Sequence, residues 1–253
     1  MAAPGTDGCR FRMLGHPHLL VMGDGSMLGL GGLCEKGDDS LGLAQVDALE
    51  PPFARLPFNA RLAVERFTAQ GSSVEELPVA GRTGILRGAQ LVAIDDRQAL
   101  AAVVTEVPRS RGDRASAERL GVARFDGQRW SDVTPPEFPY SAMLLKPDAG
   151  APVLLSPGRS ARLTPDGWQS IAMPDCLRMV DPDASLHPLR VTPDGAVLMV
   201  SGGCLGRLGA GATQVQAVAL PGGVVIEDIA LRDGDTYVAI EQKGDHQLLR
   251  LAR

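Results

Sequence analysis

Histidine is scarce in this chain of 253 residues: His16, His18, His187 and His246 are all there are. A zinc centre needs three or four converging ligands, so little is left to build one. The spaced Asp-x-Asp-x-Asp-Gly loop of a calcium site is missing as well. Most of the acidic clusters Asp38-Asp39, Asp95-Asp96, Asp181-Pro182-Asp183 and Glu227-Asp228 are expected to sit in turns, with carboxylates bonding their own backbone, metal binding being the alternative at Asp181 and Asp183. No basic block exists, and 25 Lys and Arg face 30 Asp and Glu for a net charge of −5, which argues against nucleic acid as a partner. Long apolar runs are lacking too. Stretches such as Ala99 to Val104 and Ala217 to Leu220 are far too short to cross a bilayer as a helix. Met1-Ala2-Ala3-Pro4-Gly5 has neither the charged nor the apolar region of a signal peptide, so an exported protein would here be a mature form. Gly23 to Gly29 does not have nucleophile-elbow spacing, and no helix pattern follows Gly29-Leu30-Gly31-Gly32, which excludes a dinucleotide fingerprint.

Cysteine is also sparse, and its placement is informative. Cys9 to Cys34 and Cys176 to Cys204 run parallel in plan: each opens with Cys, reaches an Arg-Met pair, then His-Pro, then Asp-Gly, and closes with Cys nine residues after the turn glycine. The match indicates a repeat of one supersecondary unit. Apolar residues flank both Asp-Gly pairs, Leu19 to Leu30 about Asp24-Gly25 and Leu189 to Val200 about Asp194-Gly195. Asp-Gly supplies the residues of positive φ that a tight hairpin turn demands. A hairpin returns the chain to its start, so bridges Cys9–Cys34 and Cys176–Cys204 are expected, the repeat alone selecting them from three connectivities. Paired cysteines point to an oxidising compartment, the periplasm or cell exterior; four reduced thiols in a cytosolic protein are the alternative.

Apolar hairpins recur at Leu91 to Val104, Met143 to Leu155 and Ile229 to Ile240, giving five with the first two. Their character suggests inner strands buried on both faces. More polar hairpins follow: Arg61 to Leu77, Gly121 to Val133, Ser160 to Ile171 and Leu205 to Val218, while His246 to Leu251 begins a fifth that lacks its second strand. Short proline-containing connections punctuate the units, as expected of a residue that cannot donate to a ladder. Four-stranded units with glycine-rich turns are the pattern of an all-β β-propeller. The expectation is one domain over 1–253 with five blades, or six if residues 37–59 contribute, closed by pairing of the N- and C-terminal segments. Residues 1–8 or Arg10 to Gly15 would supply the missing strand. Arg109 to Arg119 is expected to be a solvated loop, its Arg111-Gly112-Asp113 a chance tripeptide.

The segments ARFDGQRWSDVTPP and ARLTPDGWQSIAMP, at 123–136 and 161–174, resemble the outer hairpins of bacterial secreted propellers of the two-component-regulator and YVTN/BNR-like kind. The likeness covers roughly residues 86 to 253, and what it implies is a fold, since function sits in loops grafted onto one. The expected function is a monomeric, secreted or periplasmic, non-enzymatic module binding a protein, glycan or small molecule through its loop face. The alternative is a propeller hydrolase or lactonase with a metal in the central channel; a structural module of a surface assembly is a third class. Candidate ligand contacts are His18, Gln90, Ser141, His187, Glu227 and Asp228, at the entrances of inner strands. His16 and His187, equivalent in the repeat, also suit a structural capping role. Trp130 and Trp168 occupy corresponding positions and are expected to pack between blades, with carbohydrate stacking the alternative. No cofactor is identified.

Overall fold

The computed structural model describes residues 11–13, 19–33, 54–55, 61–79, 85–107, 117–136, 138, 142–145, 150–156, 158–178, 189–201 and 203–251. The chain forms two compact units, 1–140 and 141–253.

The first unit holds two antiparallel sheets. One contains β1 (Phe11–Met13), β2 (Leu19–Val21), β3 (Met27–Leu33), β5 (Arg61–Thr68) and β6 (Gly71–Glu76); the other contains β4 (Ala54–Arg55), β7 (Ile85–Ala93), β8 (Ala99–Val107), β9 (Ala117–Phe125) and β10 (Trp130–Asp132). β1 and β2 both lie against β3, β1 on Leu33 to Gly31 and β2 on Gly29 to Met27, so they share one strand position. β4 adds a short fifth strand beside β7. The second unit holds three sheets. Their strands are β11 (Met143–Leu145), β12 (Val153–Ser156), β13 (Arg159–Thr164) and β14 (Gly167–Ile171); then β15 (Leu189–Val191), β16 (Val197–Ser201), β17 (Cys204–Leu208) and β18 (Gln216–Val218); then β19 (Val225–Arg232), β20 (Asp235–Gln242) and β21 (Asp245–Leu251). The helical piece among the described residues is a single 3-10 turn, Asp175–Leu177. The expected apolar and polar hairpins are thus present in order, in five antiparallel sheets. The last sheet has three strands.

Burial explains the apolar runs, with one correction. The second strand of a sheet has a ladder on either side and side chains on both faces, and β12 and β16 are buried at every position. The first strand is not: β2 exposes Leu19 and Val21, and β15 exposes Arg190. Burial on both faces therefore holds for β12 and β16, fails for β2 and β15, which have one ladder neighbour each, and fails also for β20, where only Val238 and Ile240 are buried. In β16 the period-two alternation separates two cores. Val197 and Met199 join Val153, Leu155 and Ile171 of the preceding sheet, whereas Leu198 and Val200 join Ile226, Ile229, Val238 and Ile240 of the following one. Sheets consecutive in the sequence of this unit therefore pack consecutively, face to face. In the first unit Leu28, Leu30, Leu62 and Val64 meet Ala101, Val103, Phe125 and Trp130 in the same manner.

The turns refine the reading of Asp-Gly. At Asp24-Gly25 and Asp194-Gly195 only the glycine has positive φ, 78° and 77°. Gly25 N–H donates to Met22 O and Met22 N–H to Ser26 O, and Gly195 and Thr192 make the same pair of bonds. These are three-residue loops closed by a left-handed glycine, identical in the two repeat copies. Two-residue turns with both residues at positive φ occur instead at Asp233-Gly234 and Lys243-Gly244. The Asp carboxylates do bond their own turns: Asp24 Oδ1 accepts from Ser26 N, Asp95 Oδ1 from Arg97 N and Gln98 N, Asp126 Oδ1 from Gln128 N and Arg129 N.

Cys176 and Cys204 form a disulfide, as the repeat implied. It fixes the 3-10 turn to the start of β17. Leu177, fully buried, packs so closely on Gly206 that a Cβ there would stand 2.3 Å from Leu177 Cδ1 and 2.8 Å from Val215 Cγ1. Cys9 and Cys34 lie outside the described residues, as do residues 1–8, 37–53 and Arg109 to Asp113. The far end of the expected loop belongs to a strand: Ala117 to Arg119 opens β9, opposite Val107 to Thr105 of β8. Phe11–Met13, within one of the two segments expected to complete the last sheet, pairs with β3 instead.

Candidate functional site

The sequence candidates do not assemble into a site. His18, Ser141 and His187 lie outside the described residues. Gln90 is half-buried in β7, opposite Ala102 of β8. Glu227 and Asp228 lie on β19, where the register shifts between Ile226 and Asp228. Glu227 lies 3.1 Å from His246 Nδ1 of β21. Asp228 is held 2.9 Å from Arg190 Nη2, while Arg190 Nε donates to Ile229 O at 2.9 Å. Both acids therefore serve contacts with neighbouring strands. Among the described residues no three metal-ligating side chains come together.

A different series emerges from the strand register. The third strand of every sheet carries an arginine followed by Phe or Leu: Arg66-Phe67, Arg124-Phe125, Arg162-Leu163, Arg207-Leu208 and Arg250-Leu251. Their partners across the ladder are Leu28, Leu100, Val153, Leu198 and Tyr237, each near the start of its second strand. That register sets the arginines beside the turn joining the first two strands. Arg66 donates to Asp24 Oδ2 at 2.9 Å, Arg124 to Gln98 Oε1 at 2.6 Å, Arg207 to Asp194 Oδ2 at 2.6 Å and Arg250 to Asp235 Oδ2 at 2.6 Å. The carboxyls of Asp24 and Asp194 titrate below their ordinary range. The largest cause is a hydroxyl of the turn itself, Ser26 for Asp24 and Thr192 for Asp194, with the arginine adding to it.

Two of the arginines also reach the next sheet. Arg66 donates to Gly127 O at 3.2 Å in the turn between β9 and β10, and its guanidinium lies 5.3 Å from the Phe125 ring centroid. Arg162 donates to Ala212 O and to Gly209 O, the latter at 3.3 Å, in the turn between β17 and β18. Burial lowers the pKa of Arg162, and the two carbonyls compensate its lost hydration. The outer turn of one sheet is thus read by the arginine of the sheet before it. Close by, a large side chain fills the gap: Trp130, buried against Phe125 with ring centroids 5.3 Å apart, and Val215. Trp130 accordingly packs between two sheets, while Trp168 is half-buried.

Arg207 is the next member of this series, and the sheet that follows it has no outer turn among the described residues. In that place lies an open cleft of about 490 Å³. Leu198, Val218, Leu231 and Leu251 form its apolar floor; Arg207, Asp194, Thr192 and Thr236 form its polar rim. β21 bounds it, and among the described residues this strand has β20 as its one ladder neighbour. Leu248 on the same strand is 66% exposed. Unpaired N–H and C=O groups on a strand edge are a template for another strand. No sequence expectation pointed here. The available signal was the recurrent Arg-Phe/Leu dipeptide, which acquires meaning once the ladders align its five occurrences.

The comparisons with known proteins add little. No protein-family model matches the chain, and no curated protein matches it. Among solved structures, the chain is similar to "YCF48 bound to D1 peptide" at 13% identity and a TM-score of 0.43, over 98% of this chain and 72% of that one. A likeness of that degree fixes neither fold nor function.

Proposed function

We propose that the protein is a non-enzymatic binding module, its five sheets the blades of a single β-propeller, with the ligand site in the cleft between the fourth and fifth sheets. The serial face-to-face packing of consecutive sheets and the short turns support the propeller arrangement. The disulfide supports an oxidising compartment, secreted or periplasmic, and among the described residues no helix is long and apolar enough to cross a membrane. The observation that carries the binding reading is the cleft itself: an apolar floor with a few polar groups at the rim is the usual form of a ligand site, and here it lies beside a three-stranded sheet. The metal-dependent hydrolase is the weaker reading, because Glu227 and Asp228 are engaged by His246 and Arg190.

The test uses anilinonaphthalene sulfonate as a probe of the cleft on the isotope-labelled native protein. Amide shifts are expected at Val218, Thr236 and Leu251 and are expected to vanish in Thr236→Trp, which fills the space. Shifts confined to other surfaces, or none, would contradict the assignment.

A further inference from the structure

We infer that the cleft takes an extended polypeptide strand of a separate protein, docked along the free edge of β21 with a large apolar side chain opposite Leu251 and a backbone carbonyl on Arg207. This inference rests on the cleft being a ligand site. Four sheets have a strand at this place; in the first the residue facing Phe67 is Ser72, and the other three supply the template. In the second and third sheets the residue facing the one after the arginine is tryptophan: Phe125 faces Trp130 and Leu163 faces Trp168. In the fourth sheet the ladder runs to Arg207 opposite Gln216, so Val215, one step further, lies near Leu208. The same position beside Leu251 opens onto the cleft.

The polar half of the template is equally specific. Arg66 and Arg162 each satisfy carbonyls of an outer turn in the following sheet. Arg207 stands at the equivalent register, lines the cleft, and has Asp194 as its partner among the described residues. A guanidinium has five donors, so most of its capacity remains for a ligand carbonyl. Along β21, every other residue turns its N–H and C=O away from β20, which is the hydrogen-bonding surface that strand addition uses. A glycan or small molecule would use the rim but not this row.

The segments expected to complete the last sheet are poor occupants. Residues 1–8, MAAPGTDG, contain no Trp, Phe, Val, Leu or Ile, and Phe11–Met13 is paired with β3. The fourth strands β6, β10, β14 and β18 are all paired in their own sheets, so a second copy could supply one of them only by giving up that pairing. A separate polypeptide surrenders nothing.

The experiment is calorimetric titration of the whole protein with a blocked synthetic peptide DGQRWSDV, which copies Asp126 to Val133, and with the same peptide carrying Ser for Trp. Saturable binding is expected, weakened roughly ten-fold by Arg207→Gln, as for one lost charge-assisted hydrogen bond, and weakened at least as much by loss of the Trp. The far-ultraviolet circular dichroism of Arg207→Gln should match that of the native protein, showing that the variant is folded. If the dye binds and neither peptide does, the inference fails while the cleft remains a site. If neither dye nor peptide binds, both readings fail. Equal affinity with and without Trp or Arg207 would overturn the inference, as would a concentration-dependent dimer blocked by substitutions in β21, since the occupant would then be a second copy.

Discussion

Replacing Leu198 by alanine is expected to cost about 2–5 kcal/mol of stability, and replacing its chain neighbour Met199 to cost a similar amount. Successive residues of a strand point to opposite faces. In a sheet with one wet face, one of two neighbours would therefore tolerate truncation within about 0.5 kcal/mol. In β16 both side chains are 2% exposed or less, Leu198 in the core shared with the fifth sheet and Met199 in the core shared with the third. Because the two cavities open in different cores, the costs should be close to additive in the double variant. Urea denaturation of the three variants reads this directly. A near-neutral result at either position would mean that the fourth sheet is covered on one side only, and the serial packing of the second unit would be wrong.

The second large effect concerns the disulfide. Cys176 and Cys204 close a loop with a sequence separation of 28. For loops of this size the chain-entropy estimate of the stabilisation is about 3–4 kcal/mol. The enclosed segment includes β15 and β16, so the bridge restrains the unfolded form of the central sheet of this unit. The double variant Cys176→Ser, Cys204→Ser should unfold at a markedly lower denaturant concentration than the native protein, with an unchanged core once folded. Equal midpoints for the two proteins under oxidising conditions would show that the bridge adds nothing.

The sequence displayed the strands far more clearly than the site. Apolar runs bracketing Asp-Gly located β2 with β3, β15 with β16 and β19 with β20, because strands that bury side chains are rich in apolar residues and each turn needs a left-handed residue. The same logic overstated the first strands: Leu19 and Val21 are as hydrophobic as Leu28 and Leu30 of β3 yet exposed, since burial depends on what lies across the face and not on the side chain. Turn type was invisible as well. Asp24-Gly25 and Asp233-Gly234 are the same dipeptide, but the first closes a three-residue loop and the second has both residues at positive φ.

Site residues were chosen by chemistry at strand entrances, and the structure shows why that failed for Glu227 and Asp228. At the register shift in β19 they contact His246 and Arg190, and no local pattern announces such a shift. The arginines were passed over for the opposite reason. A lone Arg-Leu or Arg-Phe pair is commonplace, and only the ladder places all five at one register. Arg207 then stands out because the sheet that follows it has no outer turn among the described residues.

Amide hydrogen exchange along β21 in the free protein tests this account most directly. Because β20 is the one ladder neighbour of β21 among the described residues, alternate amides from Asp245 to Leu251 are expected to exchange quickly while those bonded to β20 are slow, and added DGQRWSDV peptide is expected to slow the fast set. Uniformly slow exchange of the whole strand in the free protein would mean that its edge is already paired, and the cleft would then be no binding site for another chain.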